Sequence, residues 1–332
     1  MKNKKNIIAI TMGDPSGIST ELTIKSWNNK KTSYPFFVIH NPDFVSKIIN
    51  KLKLKIKIKI IYNPQEASLF YKKYLPVFPI DLDKNTKLGK PNQKNSKQII
   101  ESINIAVDFA KRKKVAGIVT NPLSKEIINK FKNNFTGHTE YLAKLDNKKI
   151  FAMMLLNRKL KVIPITTHLP LKRVSKKITE SLILDSIKLV NKCLKKDFKV
   201  NKPKIAITAL NPHAGDGGLL GDEEKKIIIP SIKKAKNKGI NAIGPLAADS
   251  AFRKANLNLY DAFICMYHDQ ALIAVKTIDF ENTVNYTAGL SFIRTSPDHG
   301  TGYDIATKFI ANEKSLIAAI NYAGDISKKN YK

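Results

Sequence analysis

The chain holds six histidines, at positions 40, 138, 168, 213, 268 and 299. Three of them, His168, His213 and His268, each follow a short apolar run of the kind that makes a buried strand, at 160–166, 204–210 and 262–267. A lone histidine is more often a core or surface residue than a ligand. Three at strand ends carry more meaning, because a sheet gathers its strand ends along one edge. Imidazoles 45 and 55 residues apart in sequence can then converge. Three neutral imidazoles suit a divalent transition metal and leave coordination positions open for substrate or water. Asp269, beside His268, is either a partner that orients an imidazole or a simple turn carboxylate.

A second group of residues has anion chemistry. FTGHTEYLA (135–143) puts His138 and Thr139 at an expected helix start, with Thr139 as a candidate cap. A helix N-terminus favours phosphate or carboxylate. Lys276, Asn285 and Arg294 follow the third histidine. A lysine and an arginine together suit a dianionic group, the arginine through its bidentate fork. Arg294 stands out because arginine occurs only at 112, 158, 173, 253 and 294. GDPSG (13–17) follows the first apolar run but matches neither GxGxxG nor GxxxxGK[ST], which argues against an ordinary Rossmann fingerprint or a P-loop. NPHAGDGGLLGDEE (211–224) is glycine-rich around His213, which suits close approach of backbone to a ligand.

The elements that must position these residues alternate between short apolar runs and amphipathic stretches, the pattern of an α/β chain with a mostly parallel sheet. Strands are expected at 6–11, 36–40, 115–120, 160–166, 204–210 and 262–267, and helices at 97–111, 179–194 and 223–238. The segment KLKLKIKIKII (51–61) alternates strictly and is expected as an exposed or edge strand, with the preceding helix reaching into its first residues. Five of the expected strands run into polar or glycine-rich loops: TMGDPSG, TNPLSK, TTHLP, NPHAGDGG and YHDQA.

Composition narrows the class. The chain has 332 residues, 43% of them hydrophobic, enough for one large domain or two medium ones with their own cores. Its two cysteines, Cys193 and Cys265, make no CxxC pair, which excludes a thiolate zinc site and fits a reducing cytoplasm. No run approaches the roughly 18 apolar residues of a membrane span, and the apolar run after the basic N-terminus is too short for a signal peptide. The net charge is +31, but its lysines are scattered, without an arginine-rich block or interleaved aromatics. Compositional bias explains them better than a nucleic-acid or membrane surface, and a positive field still attracts an anionic substrate.

Taken in order, these motifs resemble the 4-hydroxythreonine-4-phosphate dehydrogenase (PdxA) family of pyridoxal phosphate biosynthesis. The resemblance runs from ITMGDPSGI (10–18) through TNPLSK, FTGHTEYLA, ITTHLPL, LNPHAGDGGLLGDEE, GPLAADSAF, YHDQALIAVK and NYTAGLSFIRTS to SPDHGTGYDIA (296–306). It implies that His168, His213 and His268 bind one divalent metal (Zn, Mg or Co). It implies that His138, Thr139, Lys276, Asn285 and Arg294 contact a small phosphorylated substrate. It implies a homodimer with its active site at the subunit interface, so the three histidines need not come from one chain. The implied fold is two α/β/α domains around a cleft, like isocitrate and isopropylmalate dehydrogenases, with domains at 1–134 plus 287–332 (cofactor side) and 135–286 (metal, substrate and dimerisation). On the same analogy His299, Gly300, Thr301 and Asp304 hold NAD or NADP. Two positions depart from the pattern. The family's GIGPE is GISTE here (17–21), and Tyr303 stands where a smaller or apolar residue is usual.

The expected activity is oxidation of 4-phosphohydroxy-L-threonine, with a metal lowering the hydroxyl pKa and Lys276 as base or proton relay, or else as a phosphate ligand or a structural residue. The product, a 3-keto acid, then loses CO2. A sister dehydrogenase of threonate or erythronate 4-phosphate would use the same groups. From another class, a metal-dependent hydrolase would turn over without nicotinamide, and a basic RNA-binding protein would show steeply salt-dependent affinity.

Overall fold

The computed structural model describes residues 6–330. They form two compact units. The first runs to Lys148 and resumes at Leu290, and the second is Lys149–Gly289. In chain order the strands are β1 (Ile8–Ile10), β2 (Phe36–His40), β3 (Ile58–Ile60), β4 (Leu75–Pro79), β5 (Gly117–Val119), β6 (Ala152–Leu156), β7 (Lys161–Pro164), β8 (Lys204–Thr208), β9 (Asn241–Leu246), β10 (Ala262–Cys265), β11 (Val284–Ala288) and β12 (Arg294–Pro297).

In the first unit the strands lie in the order β3-β4-β2-β1-β5-β12, and each neighbouring pair is parallel. β1, β2 and β5 are buried at every residue, as continuous apolar runs in a parallel sheet require. The helix Ser96–Lys111 buries Ile99, Ile103, Ala106 and Ala110, one stripe at helical spacing. The helix Lys314–Asn330 belongs to this unit too. Tyr34 donates to Asp325 at 2.7 Å, and its ring occupies the space that a side chain at Gly324 would need.

In the second unit the order is β11-β6-β7-β10-β8-β9. β11, β6 and β7 pair antiparallel, and β7, β10, β8 and β9 are parallel. The helix Glu180–Lys196 buries Ile183, Ile187 and Val190. Its start is capped by Thr179, which accepts from Leu182 N, and Glu180 and Lys196 sit at the ends that the helix dipole favours.

Several sequence expectations are corrected. Residues 135–148, assigned above to the second domain, group with the first unit. Tyr141 Oη donates to Asn104 at 2.8 Å, and the Asp146 carboxylate accepts from Ser291 N at 2.6 Å. The alternating segment 51–61 is a strand only over β3, where it forms the expected edge. The preceding helix, Pro42–Lys51, consumes its first residue, and a turn with Lys53 at φ 54° follows. The helix expected at 223–238 opens with one wide turn, Glu224–Ile228, before the regular Ile229–Lys236. β4, β6, β9, β11 and β12 were not anticipated. Among the described residues no helix is long and apolar enough to cross a membrane.

Candidate active site

The three histidine loops leave the carboxyl ends of β7, β10 and β8, which are adjacent and parallel in that order. His268 opens the helix His268–Ile278 directly after β10. His168 lies in the bend after β7. The two rings face each other, with centroids 6.0 Å apart and planes inclined by 43°. Metal–nitrogen bonds of about 2.0–2.1 Å hold two ligand rings on one tetrahedral ion with centres roughly 5 Å apart, so this pair stands about 1 Å wider than two imidazoles sharing an ion. His268 Nδ1 is 2.7 Å from Asp269 Oδ1, which orients the ring and leaves Nε2 as the outward donor atom. The donor chemistry therefore fits a divalent ion.

His213 does not join them within one chain, since no group of three or more metal-ligating side chains exists among the described residues. It begins a left-handed stretch, His213 to Gly217, with φ between 41° and 79° at every residue. Non-glycine residues there, His213, Ala214 and Asp216, occupy a strained region. What holds the stretch is Glu224, 2% exposed. Its Oε1 accepts from Leu210 N and Asn211 N, both at 2.8 Å, and its Oε2 accepts from Asn211 Nδ2 at 2.9 Å.

Gln270 ties the strand ends together. Its Oε1 accepts from Thr208 Oγ1 at 2.6 Å and from Met266 N at 2.7 Å, and its Nε2 donates to Ala209 O at 2.8 Å. One amide thus bonds the exit of β8, which leads to His213, and the exit of β10, which leads to His268. Thr166 Oγ1 donates to Met266 O at 2.7 Å and joins the strand that leads to His168. Sequence reasoning missed both Gln270 and Glu224. The available signal was a polar side chain in each motif at a position expected to be buried.

The anion residues of the first unit also meet. The helix His138–Leu145 starts after Gly137, so Gly137 is the cap residue and Thr139 lies inside the first turn, which corrects the capping role expected for it. His138 Nε2 is sealed from solvent without a hydrogen-bond partner. Burial pushes the His138 pKa well below the ordinary histidine value, and the positive charges of Arg294 and Lys125 push it further. Arg294 opens β12 and is 3% exposed. Its Nε and Nη2 donate to Thr120 Oγ1 at 3.1 and 2.6 Å. Burial lowers its pKa to about 10, while nearby Glu140 favours its charge. A buried cation is expensive to maintain. Here it stands beside a neutral imidazole whose sealed nitrogen lacks a partner, an arrangement that an anion would relieve. Lys125, in TNPLSK, was not singled out from sequence.

The first loop packs on residues 299–304, also in the first unit. Ile18 N donates to Thr301 O at 2.9 Å, and a Cβ at Gly17 would come within 2.3 Å of that oxygen, so only glycine fits there. Tyr303 Oη donates to Asp14 Oδ2 at 2.6 Å. His299 Nδ1 lies 3.0 Å from Gly300 O, while its Nε2 is buried without a partner, and a Cβ at Gly300 would meet nothing. An orphaned imidazole nitrogen beside open backbone fits a dinucleotide's polar groups. The GISTE departure is absorbed locally. Ser19 Oγ donates to Pro122 O at 3.2 Å, and Thr20 Oγ1 lies 3.0 Å from His40 Nε2.

Lys276 and Asn285 are in the second unit. Lys276 occupies the last turn of the His268 helix, eight residues on, or about 12 Å along the axis. Its Nζ stands 5.4 Å from the Phe280 ring centre. Asn285 lies on β11 with its Oδ1 buried and lacking a partner.

The chain is similar to known proteins in sequence and in fold. Residues 32–323 match the family model described as pyridoxal phosphate biosynthetic protein PdxA. The 4-hydroxythreonine-4-phosphate dehydrogenase of Sulfurihydrogenibium sp. (strain YO3AOP1) is 39% identical over 95% of this chain and 97% of its own length. The crystal structure of the Klebsiella pneumoniae 4-hydroxythreonine-4-phosphate dehydrogenase superposes with a TM-score of 0.90 at 34% identity, covering 97% of this chain and 99% of that one. A terephthalate 1,2-cis-dihydrodiol dehydrogenase from Burkholderia xenovorans LB400, 20% identical with a TM-score of 0.64 over 96% of this chain and 97% of its own, shares the fold. The chain belongs to the PdxA family.

Proposed function

We propose that this chain oxidises 4-phosphohydroxy-L-threonine to 2-amino-3-oxo-4-(phosphooxy)butanoate with NAD or NADP. The product then decarboxylates to 3-amino-2-oxopropyl phosphate on the route to pyridoxal 5'-phosphate. The observation that carries this reading is the buried pair of Arg294 and His138, a neutral imidazole with a sealed, unpartnered Nε2 beside a guanidinium. That chemistry selects a phosphorylated substrate.

When bound, the dinucleotide supplies a hydride acceptor and the divalent ion (Zn, Mg or Co) a Lewis acid at the substrate hydroxyl. His168, His213 and His268 would hold the ion, and His299, Gly300, Thr301 and Asp304 the dinucleotide. Arg294, His138 and the backbone amides that open the helix at His138 hold the phosphate, with Thr139 and Asn285 as further substrate contacts. Lys276 takes the hydroxyl proton as base or relay. The O–H and C–H bonds of the secondary alcohol break, the C=O bond forms, and two electrons leave as hydride. The carboxylate's C–C bond then breaks, its electron pair moves into the new carbonyl, CO2 departs, and a proton returns to carbon.

We read the enzyme as a cytoplasmic homodimer with its active site at the subunit interface. Two observations support this. Cys193 and Cys265 are free, buried thiols, and among the described residues His168 and His268 face each other with no third metal-ligating side chain grouped with them. The test is reduced-nicotinamide absorbance with 4-phosphohydroxy-L-threonine and, in parallel, threonate and erythronate 4-phosphates. Turnover of the first at a much higher kcat/KM supports the proposal. Preference for either acid phosphate assigns the sister activity, and turnover without nicotinamide assigns a hydrolase.

A further inference from the structure

Three loops of the first unit converge on one phenol. The Asp14 side chain is 2% exposed, and its two oxygens are divided between partners. Oδ1 accepts from Ser16 N at 2.9 Å, and Oδ2 accepts from Tyr303 Oη at 2.6 Å. Asp14 N donates to Pro122 O at 2.9 Å, which ties the first loop to TNPLSK. The Ser124 and Thr301 side chains also face the Tyr303 hydroxyl. Gly89 N donates to Ser16 O at 2.8 Å, and Gly89 lies against Tyr303 O. Without the Tyr303 hydroxyl, the first loop and residues 299–304 share the Ile18–Thr301 backbone bond and the Gly17 and Gly302 contacts. The charge states suit a strong bond. Burial pushes the Asp14 carboxyl up, and the Ser16 and Tyr303 bonds oppose that. Burial and the Asp14 carboxylate both push the phenol up, so it stays protonated and donates.

We infer that Tyr303 is a positioning residue for the dinucleotide. By donating to Asp14 it fixes the segment His299 to Asp304 against the first loop, so that His299 Nε2 and the open backbone at Gly300 keep their binding geometry. The inference rests on the reading that residues 299–304 hold the dinucleotide, and it adds a residue that need not touch the ligand. Ser19 and Thr20 anchor the helix that follows the first loop, and the Tyr303 bond anchors the loop itself.

The test is equilibrium fluorescence titration of the full-length protein with NADH and with NADPH, without substrate, for wild type, Tyr303→Phe, Asp14→Ala, the combined variant and His299→Ala. Tyr303→Phe is expected to weaken binding of the better-bound dinucleotide about tenfold, or about 1.4 kcal/mol. Asp14→Ala should do at least as much, since it also loses the Ser16 bond, and the combined variant should be no weaker than Asp14→Ala, because both remove the same Tyr303–Asp14 bond. In turnover, the loss should appear in KM for the dinucleotide, with kcat and KM for the phosphorylated substrate close to wild type. Additive losses, or Tyr303→Phe binding like wild type while His299→Ala binds weakly, would overturn the inference and leave the cofactor reading standing. In turnover, KM raised equally for the dinucleotide and for the phosphorylated substrate, with a lowered Tm, would assign Tyr303 a purely structural role and overturn it too. Wild-type affinity in both Tyr303→Phe and His299→Ala would overturn the cofactor reading itself.

Discussion

At the scale of single residues, the site sets a cost that substrate is expected to relieve. Arg294 is buried beside His138. Burial disfavours the charged form of both, and the guanidinium charge further disfavours a proton on His138. Replacing Arg294 by Lys keeps a charge but loses the fork. It should raise KM for the phosphorylated substrate by roughly 10- to 150-fold, from the loss of about 1.5–3 kcal/mol of charge-assisted hydrogen bonding. Steady-state kinetics with the phosphorylated substrate checks this, and a KM within threefold of wild type would remove Arg294 from the phosphate site. The pair of His168 and His268 makes a separate prediction. Cobalt titration followed by visible absorption should show a bound ion in wild type and none in His168→Ala, with His213→Ala giving the same loss if the third imidazole comes from a second copy.

At the scale of elements, the supports of these residues decide as much as the residues. Gln270→Leu removes three hydrogen bonds, the one to Ala209 O among them, strands the Met266 N–H, and leaves the Thr208 hydroxyl with the Ile264 carbonyl alone. It should cost about 2–4 kcal/mol in urea unfolding and weaken cobalt affinity by roughly 10- to 100-fold. An unchanged cobalt affinity would mean that the amide holds strands together without placing ligands. His40 supplies a pH test. It is buried, stacked on Phe44 and bonded to Thr20, and burial pushes its pKa down to about 3. The folded pKa lies below the unfolded value, so its contribution is present above about pH 6.5 and is lost as pH falls toward 3. Each pH unit across that window costs about 1.4 kcal/mol. His40→Gln should flatten the decline in stability over this range, measured by denaturant unfolding at successive pH values.

The same elements show what was legible in the sequence. β2 was readable to the residue, because its run is apolar at nearly every position and buried on both faces. The histidine loops were readable as strand exits. The adjacency of β7, β10 and β8 was not, since strand order is a property of long-range pairing that periodicity does not encode. β12 was hidden because its residues, Arg294 to Pro297, are mostly polar yet buried. The boundary near 148 was obscured for a similar reason. The helix His138–Leu145 reads as the opening of a new domain, but Tyr141 and Asp146 bind it to the first unit through side-chain bonds. The left-handed path at His213 could be suspected from its glycines, but not from His213, Ala214 and Asp216, which adopt it against their own preference.

At the scale of the whole molecule, a net charge of +31 provides a field that attracts a phosphorylated acid, and turnover at sub-saturating substrate should fall with added salt more than kcat does. Stopped-flow or steady-state rates over a salt series check that. The proposed chain of events ties the metal residues, the anion residues and the dinucleotide loop to one substrate, so one measurement bears on all three. Purified full-length protein is stripped with a chelator and assayed for reduced nicotinamide with 4-phosphohydroxy-L-threonine, before and after adding Zn, Mg or Co. The account predicts no turnover in the stripped enzyme, recovery with at least one ion, and one CO2 released per nicotinamide reduced. Full activity in the stripped enzyme, or no nicotinamide reduction with any of the three ions, would contradict it.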